Sequence, residues 1–325
     1  MRLPEIPKPD EVASAAAEAR NAVLTKPPGA LGDLEPLAIR LAAITDSVDR
    51  AAIIVAAGNH GVTAEGVSAY PSSVTTQMVA NFEFGGAAIN ALAKNANADL
   101  LLVDAGVDPG TANFAQKTAM SRDDAEAVIQ RGIDYVRNLD HEILCLGEMG
   151  IGNTTAAAAV LSVVLGIEPE KSTGRGTMVD DAGLQRKIDA VKRGIELHDP
   201  DSTDAVAILS AFGGFETGFL AGCILGAASR QIPLVLDGFP CTVAALLADL
   251  LDSNVRHYLF AAHQSAEPGH RLALAHLNLA PILNLQLRLG EGSGAALALP
   301  IIRAASAFLR EMSSFEEANV DNRDS

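Results

Sequence analysis

Six short apolar runs constrain the fold of this chain more than any other feature of its sequence. They cover 51–57, 98–103, 142–146, 205–210, 233–236 and 256–262. Each run is of strand length and rich in Val, Ile or Leu, with little alternation between apolar and polar residues. Strands buried on both faces of a parallel sheet have this pattern, because helices cover both sides of such a sheet. The runs therefore predict buried parallel strands.

Helical stretches separate these runs. Residues 154–165 are apolar almost all round, and residues 218–229 are rich in small side chains that suit close packing. Residues 74–93 also have a helical pattern, with Gly85-Gly86 either inside the helix or dividing it. Strand followed by helix, repeated along the chain, predicts an α/β fold with a doubly wound, mostly parallel six-stranded sheet.

The two ends of the chain have a different character. Three segments there have helical patterns, namely 9–22, 34–48 and 295–312. Pro300 predicts a kink in the last of them. The predicted division is a small helical domain from 1–50 plus 295–315, an α/β catalytic domain at 51–294 and a disordered polar tail at 316–325.

Composition and charge exclude several classes of protein. The formal net charge is −16 at pH 7, so we expect no nucleic-acid partner, because nonspecific binding needs a positive surface. No apolar run reaches the length of a membrane span, and the first residues lack the apolar core of a signal peptide. We therefore expect no membrane partner and a cytoplasmic location. The three cysteines form no CxxC pair, which argues against a disulfide framework or a zinc site.

A glycine-rich stretch, GEMGIGNTT at 147–155, follows the third run and precedes a predicted helix. Ligands of α/β proteins bind at this carboxyl edge of the sheet. Glycines let backbone N–H groups approach a ligand, and the N-terminus of a helix favours an anion. The stretch is either a phosphate cradle or a plain turn in which Asn153 or Thr154 caps the helix.

Two cations and a polar segment are further candidates. Arg175, in GRGT at 174–177, and Lys187 can each pair with a phosphate, although solvated surface cations look the same in a sequence. The segment 263–270 carries two histidines, Ser265 and Glu267. Nearness in sequence does not make a catalytic triad, which is assembled in space. The histidines also lack the spacing of metal ligands, so we expect no metal.

The stretch LGEGSG at 289–294 is the most informative of all. It holds Glu291 between glycines, directly before a predicted helix. A carboxylate beside apolar Leu289 can have a raised pKa and act as a general base. The alternative is a flexible loop whose glutamate interacts with the N-terminus of the helix.

Taken in order, these motifs resemble the nicotinate-nucleotide–dimethylbenzimidazole phosphoribosyltransferase family. The resemblance runs from TKPPG at 25–29 to the C-terminal helix, which is nearly the whole chain. The segments that carry it are HGV at 60–62, EGVS at 65–68, VT at 74–75, QM at 77–78, GGAAIN at 85–90, GEMGIGNTT at 147–155, GRGT at 174–177, GGFE at 213–216, LDG at 236–238, SAEPGH at 265–270 and RLGEG at 288–292. The resemblance implies transfer of a phosphoribosyl group from nicotinate mononucleotide to 5,6-dimethylbenzimidazole, which gives α-ribazole 5′-phosphate and nicotinate. It also implies a homodimer with neither a metal nor an organic cofactor.

The resemblance further implies roles for individual residues. Glu291 corresponds to the catalytic base of the family and Glu148 to a second active-site carboxylate. The residues implied near the nucleotide are Gly150, Gly152, Asn153, Gly174, Arg175, Gly176, Lys187, Asp237 and Ser265. Those implied in the pocket for the acceptor base are Gln77, Met149 and Leu289.

Asn59, Ala30, Asp33 and Met178 depart from the family pattern, which leaves the accepted base open. One alternative is the same transfer to adenine, a phenol or another benzimidazole. Another is a noncatalytic nucleotide-binding paralogue, against which the presence of both Glu148 and Glu291 argues. A dinucleotide-dependent oxidoreductase is disfavoured, because no GxGxxG follows the first strand.

Overall fold

The computed structural model describes residues 1–176 and 178–322. Within them, six strands form one sheet in which each neighbouring pair is parallel. The strands are β1 (Ala51–Gly58), β2 (Asp99–Gly106), β3 (Ile143–Met149), β4 (Leu234–Leu236), β5 (Leu259–His263) and β6 (Pro281–Leu283). Their order across the sheet is β2-β1-β3-β4-β5-β6.

Helices make up most of the remaining described chain. They are α1 (Glu11–Val23), α2 (Leu34–Ala42), α3 (Ser73–Glu83), α4 (Ala88–Asn95), α5 (Arg122–Arg137), α6 (Asn153–Leu165), α7 (Pro169–Ser172), α8 (Asp181–His198), α9 (Ala205–Phe212), α10 (Phe215–Ser229), α11 (Phe239–Leu251), α12 (Pro268–His276), α13 (Ser293–Glu311) and α14 (Phe315–Ala318). Two 3₁₀ helices cover Gly61–Glu65 and Ser253–Tyr258. The predicted helix over 74–93 is divided into α3 and α4 at the glycine pair, where Gly85 has a φ of +78°.

The sheet is covered by helices on both faces. Successive side chains of a strand point to opposite sides. Ile54 of β1 therefore packs into a core with α5, α6, α9, α10 and α11. Its neighbour Ile53 packs into a second core with α1, α2, α4 and α13. This arrangement confirms the predicted doubly wound α/β fold with a six-stranded parallel sheet.

One predicted strand is wrong. The run 205–210 lies in helix α9. The N-cap of this helix is Asp204, whose side chain accepts hydrogen bonds from the N–H groups of Val206 and Ala207. The helix is buried almost all round, so its sequence shows no polar face and looks like a buried strand. The sixth strand is instead β6, whose three residues include Pro281 and give too short a signal. The run 256–262 begins in a 3₁₀ helix and becomes a strand only at Leu259.

The helices from the two chain ends contact one another. Helices α1, α2 and α13 pack together, and Leu24 pairs with Ser314 through an isolated antiparallel bridge. Pro300 lies inside α13. The boundaries of the two predicted domains stay a prediction. The predicted disordered tail begins inside α14, which ends at Ala318. Ser314 and Glu317 cap the start of this helix with reciprocal hydrogen bonds. Residues 323–325 of the predicted tail lie outside the described residues.

Helices α5 and α10 approach so closely that glycines are needed at their contact. A Cβ atom at Gly222 would lie 2.0 Å from the carbonyl oxygen of Ile129, and one at Gly132 would lie 2.0 Å from that of Phe219. Backbone oxygens cannot rotate away as a flexible side chain can. The small residues predicted to pack tightly over 218–229 therefore face a neighbouring helix as well as the sheet.

We expect Gly222→Ala to lower the free energy of unfolding by about 1–3 kcal/mol, because the new methyl group overpacks this contact. The loss should appear despite the roughly 1 kcal/mol that alanine gains over glycine within a helix. Urea denaturation would measure it. Gly226→Ala is the matched control on the same helix, since its Cβ would lie 2.9 Å from the nearest backbone oxygen and should cause a smaller loss. An unfolding midpoint at or above that of the wild type for Gly222→Ala would contradict this packing.

Candidate active site

A cavity of about 380 Å³ lies beyond the carboxyl ends of the strands. The strand order reverses between β1 and β3, and ligands of open α/β sheets bind at such a switch point. We call it the strand-end cavity. Its lining comprises Val67, Ser68, Tyr70, Val74, Met78, residues 148–154, Gly176, Lys187, residues 238–240, His263, Ser265, Glu267 and residues 288–291.

Glu291 lies on the wall of this cavity in a constrained backbone. Gly290, Glu291 and Gly292 have φ values of +83°, +63° and +82°. For a residue with a side chain, the left-handed region stores strain and persists only where the surroundings hold it. Glu291 is 4% exposed, and its Oε2 has no hydrogen-bond partner among the described residues. Burial raises the pKa of its carboxyl, and the nearby charge of Asp237 adds to the effect, while a backbone hydrogen bond at Ile89 opposes it.

Glu148, at the end of β3, is the second buried carboxyl of the cavity. The backbone N–H of Glu291 donates to the carbonyl oxygen of Glu148 at 3.1 Å, which joins the two residues. Burial raises the pKa of Glu148 well above its usual range, and the charges of Asp237, Glu216 and Glu291 add to it, although Asn153 donates a hydrogen bond to Oε2. This shift favours the protonated form of Glu148, and a protonated carboxyl can donate a hydrogen bond. The two carboxyls thus have different chemical roles available to them.

The glycine-rich turn after β3 leads into the N-terminus of α6. A Cβ atom at Gly150 would lie 2.5 Å from the carbonyl oxygen of Gly58, so only glycine fits there. His60 backs the turn and lies 2.9 Å from Glu216 through its Nε2, and both side chains are buried. Gly152 is the N-cap of α6 with a φ of +97°. The turn brings backbone and the positive end of the helix to the cavity, an arrangement that favours an anion.

Lys187 supplies a buried positive charge beside this turn. Its side chain extends from α8, is 1% exposed, and donates from Nζ to Oγ1 of Thr154 at 2.9 Å. No carboxylate lies within ion-pair distance of it in the described part of the chain. Burial lowers the pKa of Lys187 to about 8, while the charge of Glu267 opposes the shift. Glu267 is held by the backbone N–H of Gly176, which donates to Oε1 at 2.8 Å. A desolvated cation of this kind favours an anionic ligand.

Ser265 and His270 are hydrogen-bonded to each other, a contact that their spacing in the sequence did not predict. His270 Nδ1 accepts the backbone N–H of Ser265 at 3.0 Å and lies 2.9 Å from its Oγ. Nε2 lies 2.9 Å from Oγ1 of Thr242. Burial and the neighbouring His263 lower the pKa of His270 to about 3. A base that weak does not take a proton from serine near neutral pH, so the pair orients Ser265 toward the cavity.

Several residues implied by the resemblance lie away from the cavity wall. The guanidinium of Arg175 pairs with Asp181 and donates to the carbonyl oxygen of Val179 at 3.0 Å, and its side chain is 47% exposed. Gln77 is exposed on α3, because Val74 and Met78, one helical turn apart, face the cavity instead. Gly174 is buried against Glu267.

Asp237 also lies behind the wall, where it binds the backbone of the Glu291 loop. Thr177, within GRGT, is outside the described residues. The other implied residues are at the cavity, namely Gly150, Gly152, Asn153, Gly176, Lys187, Ser265, Met149 and Leu289.

A family model described as phosphoribosyltransferase matches residues 6–320. The chain belongs to this phosphoribosyltransferase family. It is 46% identical to the nicotinate-nucleotide–dimethylbenzimidazole phosphoribosyltransferase of Roseiflexus sp. (strain RS-1), over 97% of this chain and 95% of the relative. The relative of the same name in Geobacter sulfurreducens is 46% identical over 95% and 94%. The crystal structure of CobT from Thermus thermophilus has a TM-score of 0.92 and 45% identity, and the match covers 96% of this chain and 99% of that one.

In this phosphoribosyltransferase, sequence reasoning missed the apolar side chains Tyr70, Val74, Met78 and Phe239 of the cavity. Phe239 directly follows the Asp-Gly pair that comes after β4. We expected ligand-binding residues directly after the strands, and extending that expectation by one residue would have included Phe239. The other three come from a segment without a strand, which gave no such signal. The departures Asn59, Asp33 and Met178 do not line the cavity. Asn59 instead donates to the carbonyl oxygen of Val107 at 2.8 Å.

Across residues 1–176 and 178–322, no three His, Cys, Asp or Glu side chains are grouped as ligands of a metal ion. In the same residues, none of the helices combines the length and the apolar character that crossing a membrane requires.

Proposed function

We propose that this phosphoribosyltransferase transfers the phosphoribosyl group of nicotinate mononucleotide to 5,6-dimethylbenzimidazole. The products are α-ribazole 5′-phosphate and nicotinate. The observation that carries the proposal is Glu291, a buried carboxylate with an unpartnered oxygen and a raised pKa on the wall of the strand-end cavity. The names of relatives that match over nearly their full length support the choice of substrates.

The phosphate of the nucleotide binds at the end of the cavity where Lys187 and the N-terminus of α6 lie. Lys187 provides charge, and the turn at Gly150–Gly152 with the N-terminus of α6 provides backbone N–H groups and a favourable dipole. The phosphate is remote from the reacting carbon, so the free energy of its binding orients the ribose for attack. Ser265, oriented by His270, lies on the same cavity wall for contact with the nucleotide.

The transfer needs one base and no acid. One ring nitrogen of the benzimidazole attacks the anomeric carbon with its lone pair. The bond from that carbon to the nicotinate nitrogen breaks, and its electron pair neutralises the positive pyridinium, so nicotinate leaves unaided. The second benzimidazole nitrogen loses its proton to Glu291. Attack on the face opposite the leaving group inverts the anomeric centre from β to α. Glu148, in the protonated form that its raised pKa favours, donates a hydrogen bond to substrate oxygen.

The acceptor binds against the apolar part of the wall. Val74, Met78, Met149, Phe239 and Leu289 line the cavity there and suit a flat aromatic ring. Purines and phenols are also flat, and a purine N–H or a phenolic O–H presents the same kind of proton to Glu291. Transfer to another such base is therefore the second candidate function.

Nicotinate release from nicotinate mononucleotide, followed with a panel of acceptors, tests the proposal. We expect 5,6-dimethylbenzimidazole to give the highest kcat/KM in a panel with adenine, benzimidazole and phenol. A higher value for adenine or a phenol would replace the acceptor but keep the chemistry. Failure of every acceptor to release nicotinate would contradict catalysis and favour a nucleotide-binding paralogue.

The pH dependence follows from the two shifted groups. Glu291 must be ionised to accept a proton, so kcat/KM should fall as pH drops through its raised pKa, at a higher pH than an exposed glutamate would give. Lys187 must be charged to bind phosphate, so kcat/KM should also fall as pH rises through about 8. A profile of kcat/KM for nicotinate mononucleotide from pH 4 to pH 10 measures both limbs. A profile that stays flat down to about pH 5 would contradict the role of Glu291.

The homodimer and the cytoplasmic location belong to the same proposal. Phe84 is 93% exposed at the end of α3, and Val12, Val23 and Leu289 are also exposed apolar side chains, which fits a protein with a subunit partner. Cys145, Cys223 and Cys241 are free and buried, which fits a reducing compartment. Light scattering in solution would test the dimer.

A further inference from the structure

Asp237 ends β4 and is 1% exposed, yet it does not line the strand-end cavity. Its carboxylate faces the loop that carries Glu291. Oδ2 accepts the N–H of Gly292 at 3.0 Å, and Oδ1 accepts the N–H groups of Gly294 at 2.7 Å and Ala295 at 3.2 Å. Three backbone donors at the start of α13, directly after Glu291, are therefore bound by a single side chain from the carboxyl edge of the sheet.

These contacts fix the backbone immediately after Glu291. Gly292 is the N-cap of α13 and has no side chain with which to cap it, so Asp237 satisfies the first N–H groups of the helix from outside. Its negative charge also suits the positive end of the helix. The fit leaves no spare room, because a Cβ atom at Gly294 would lie 2.8 Å from Oδ1. Since Glu291 has a left-handed backbone, an external anchor of this kind is what keeps its carboxylate in place.

We propose that Asp237 is a positioning residue for Glu291, because it anchors the loop that aims the general base. The proposal rests on the proposed function. Titratable groups surround Glu291 from three strands. Glu148 at the end of β3 and His263 at the end of β5 line the same cavity, and the charge of Asp237, directly after β4, acts on the Glu291 carboxyl. His263 Nε2 lies 3.4 Å from Asp237 Oδ1, so His263 is the neighbour nearest to the anchor. Asp237 holds its place through backbone donors and does not line the cavity.

The test is Asp237→Asn, which keeps the shape but removes the charge and turns one acceptor into a donor facing backbone N–H groups. We expect kcat to fall about tenfold to hundredfold, as misplacement of a catalytic group does. The KM for nicotinate mononucleotide should stay within about threefold, and the acid limb of the pH profile should move to lower pH. In the Glu291→Gln background, Asp237→Asn should lower kcat no further. Asp249→Asn removes another buried carboxylate, on α11 beside Arg256, and should move neither kcat nor the acid limb.

The outcomes separate the two proposals. If wild-type enzyme releases no nicotinate, the proposed function fails. If it does, and Asp237→Asn keeps its acid limb or lowers kcat equally in the Glu291→Gln background, the positioning role is overturned. Should Asp237→Asn not fold, hydrogen exchange of the wild type decides. The amides of Gly292, Gly294 and Ala295 should then be protected to the level of the core of α13, whereas exchange at the rate of an exposed loop would refute the anchor.

Discussion

Glu291→Gln is expected to lower the single-turnover rate of nicotinate release by about 10²–10⁴-fold, the contribution typical of a general base. Glutamine keeps the size of the side chain and removes its basicity, so the buried position of residue 291 stays filled. The rate is measured with nicotinate mononucleotide and acceptor both bound, so that weaker binding does not enter it. A rate within a few-fold of the wild type would reject the general-base role.

Glu148→Gln is the matched control for this substitution. Burial and three neighbouring carboxylates raise the pKa of Glu148 well above its usual range, which favours the neutral, protonated form of the side chain. Glutamine is also neutral and can donate a hydrogen bond, so we expect a loss of less than about tenfold, in the range of one altered hydrogen bond. Equal losses in the two variants would show that both carboxyls act as anions.

Lys187→Met is expected to weaken the binding of nicotinate mononucleotide by about 10–150-fold, the equivalent of one hydrogen bond to a charged group. Methionine keeps much of the length and removes a buried charge, so the folded state should not suffer. Titration calorimetry measures the Kd. The nucleoside that lacks the phosphate should bind to both proteins with similar affinity, which ties the loss to the phosphate.

Arg175→Met is the control for the cation. The guanidinium of Arg175 is half exposed and paired with Asp181, so its removal should change the Kd for the nucleotide less than about threefold, as surface ion pairs contribute little. If Arg175→Met weakened binding as much as Lys187→Met, the phosphate would lie at the GRGT loop rather than at the start of α6.

The sequence predicted most of the sheet because the physics of its strands is local. Parallel strands covered on both faces must be apolar throughout, and the runs that became β1 and β3 show it directly. The run that became β2 is an edge strand and is only partly buried. The same reasoning misplaced 205–210, because a helix buried on every side is also apolar throughout. Hydrophobic periodicity shows only the contrast between a buried face and a solvated face. A strand buried on both sides and a helix buried all round have no solvated face, so periodicity does not distinguish them.

The candidate site was predictable from the sequence where the conformation of a short glycine-containing segment alone brings its residues to the cavity. Glu291 between two glycines and the turn at Gly150–Gly152 are local features, and both lie at the cavity. The direction in which a side chain points was not predictable from the sequence. Whether Lys187 or Arg175 faces inward depends on the packing of α8 against α6, and no local pattern encodes that contact. Asp237 was expected beside the nucleotide and instead binds the loop of Glu291, since its donors are 55–58 positions away in sequence.

The two halves of the cavity wall differ in how well their positions tolerate substitution by other amino acids. Gly150, Gly290 and Gly292 admit no larger side chain without collision with Gly58, Glu148 or Ile53. The half that holds the carboxyls is therefore closed to substitution. Val74 and Met78 belong to α3, whose backbone can carry other apolar side chains at these positions. Under the proposed function, we expect exchanges of residues on this one helix to change which aromatic acceptor is used, while the loop and the turn that hold Glu291 and Glu148 stay the same.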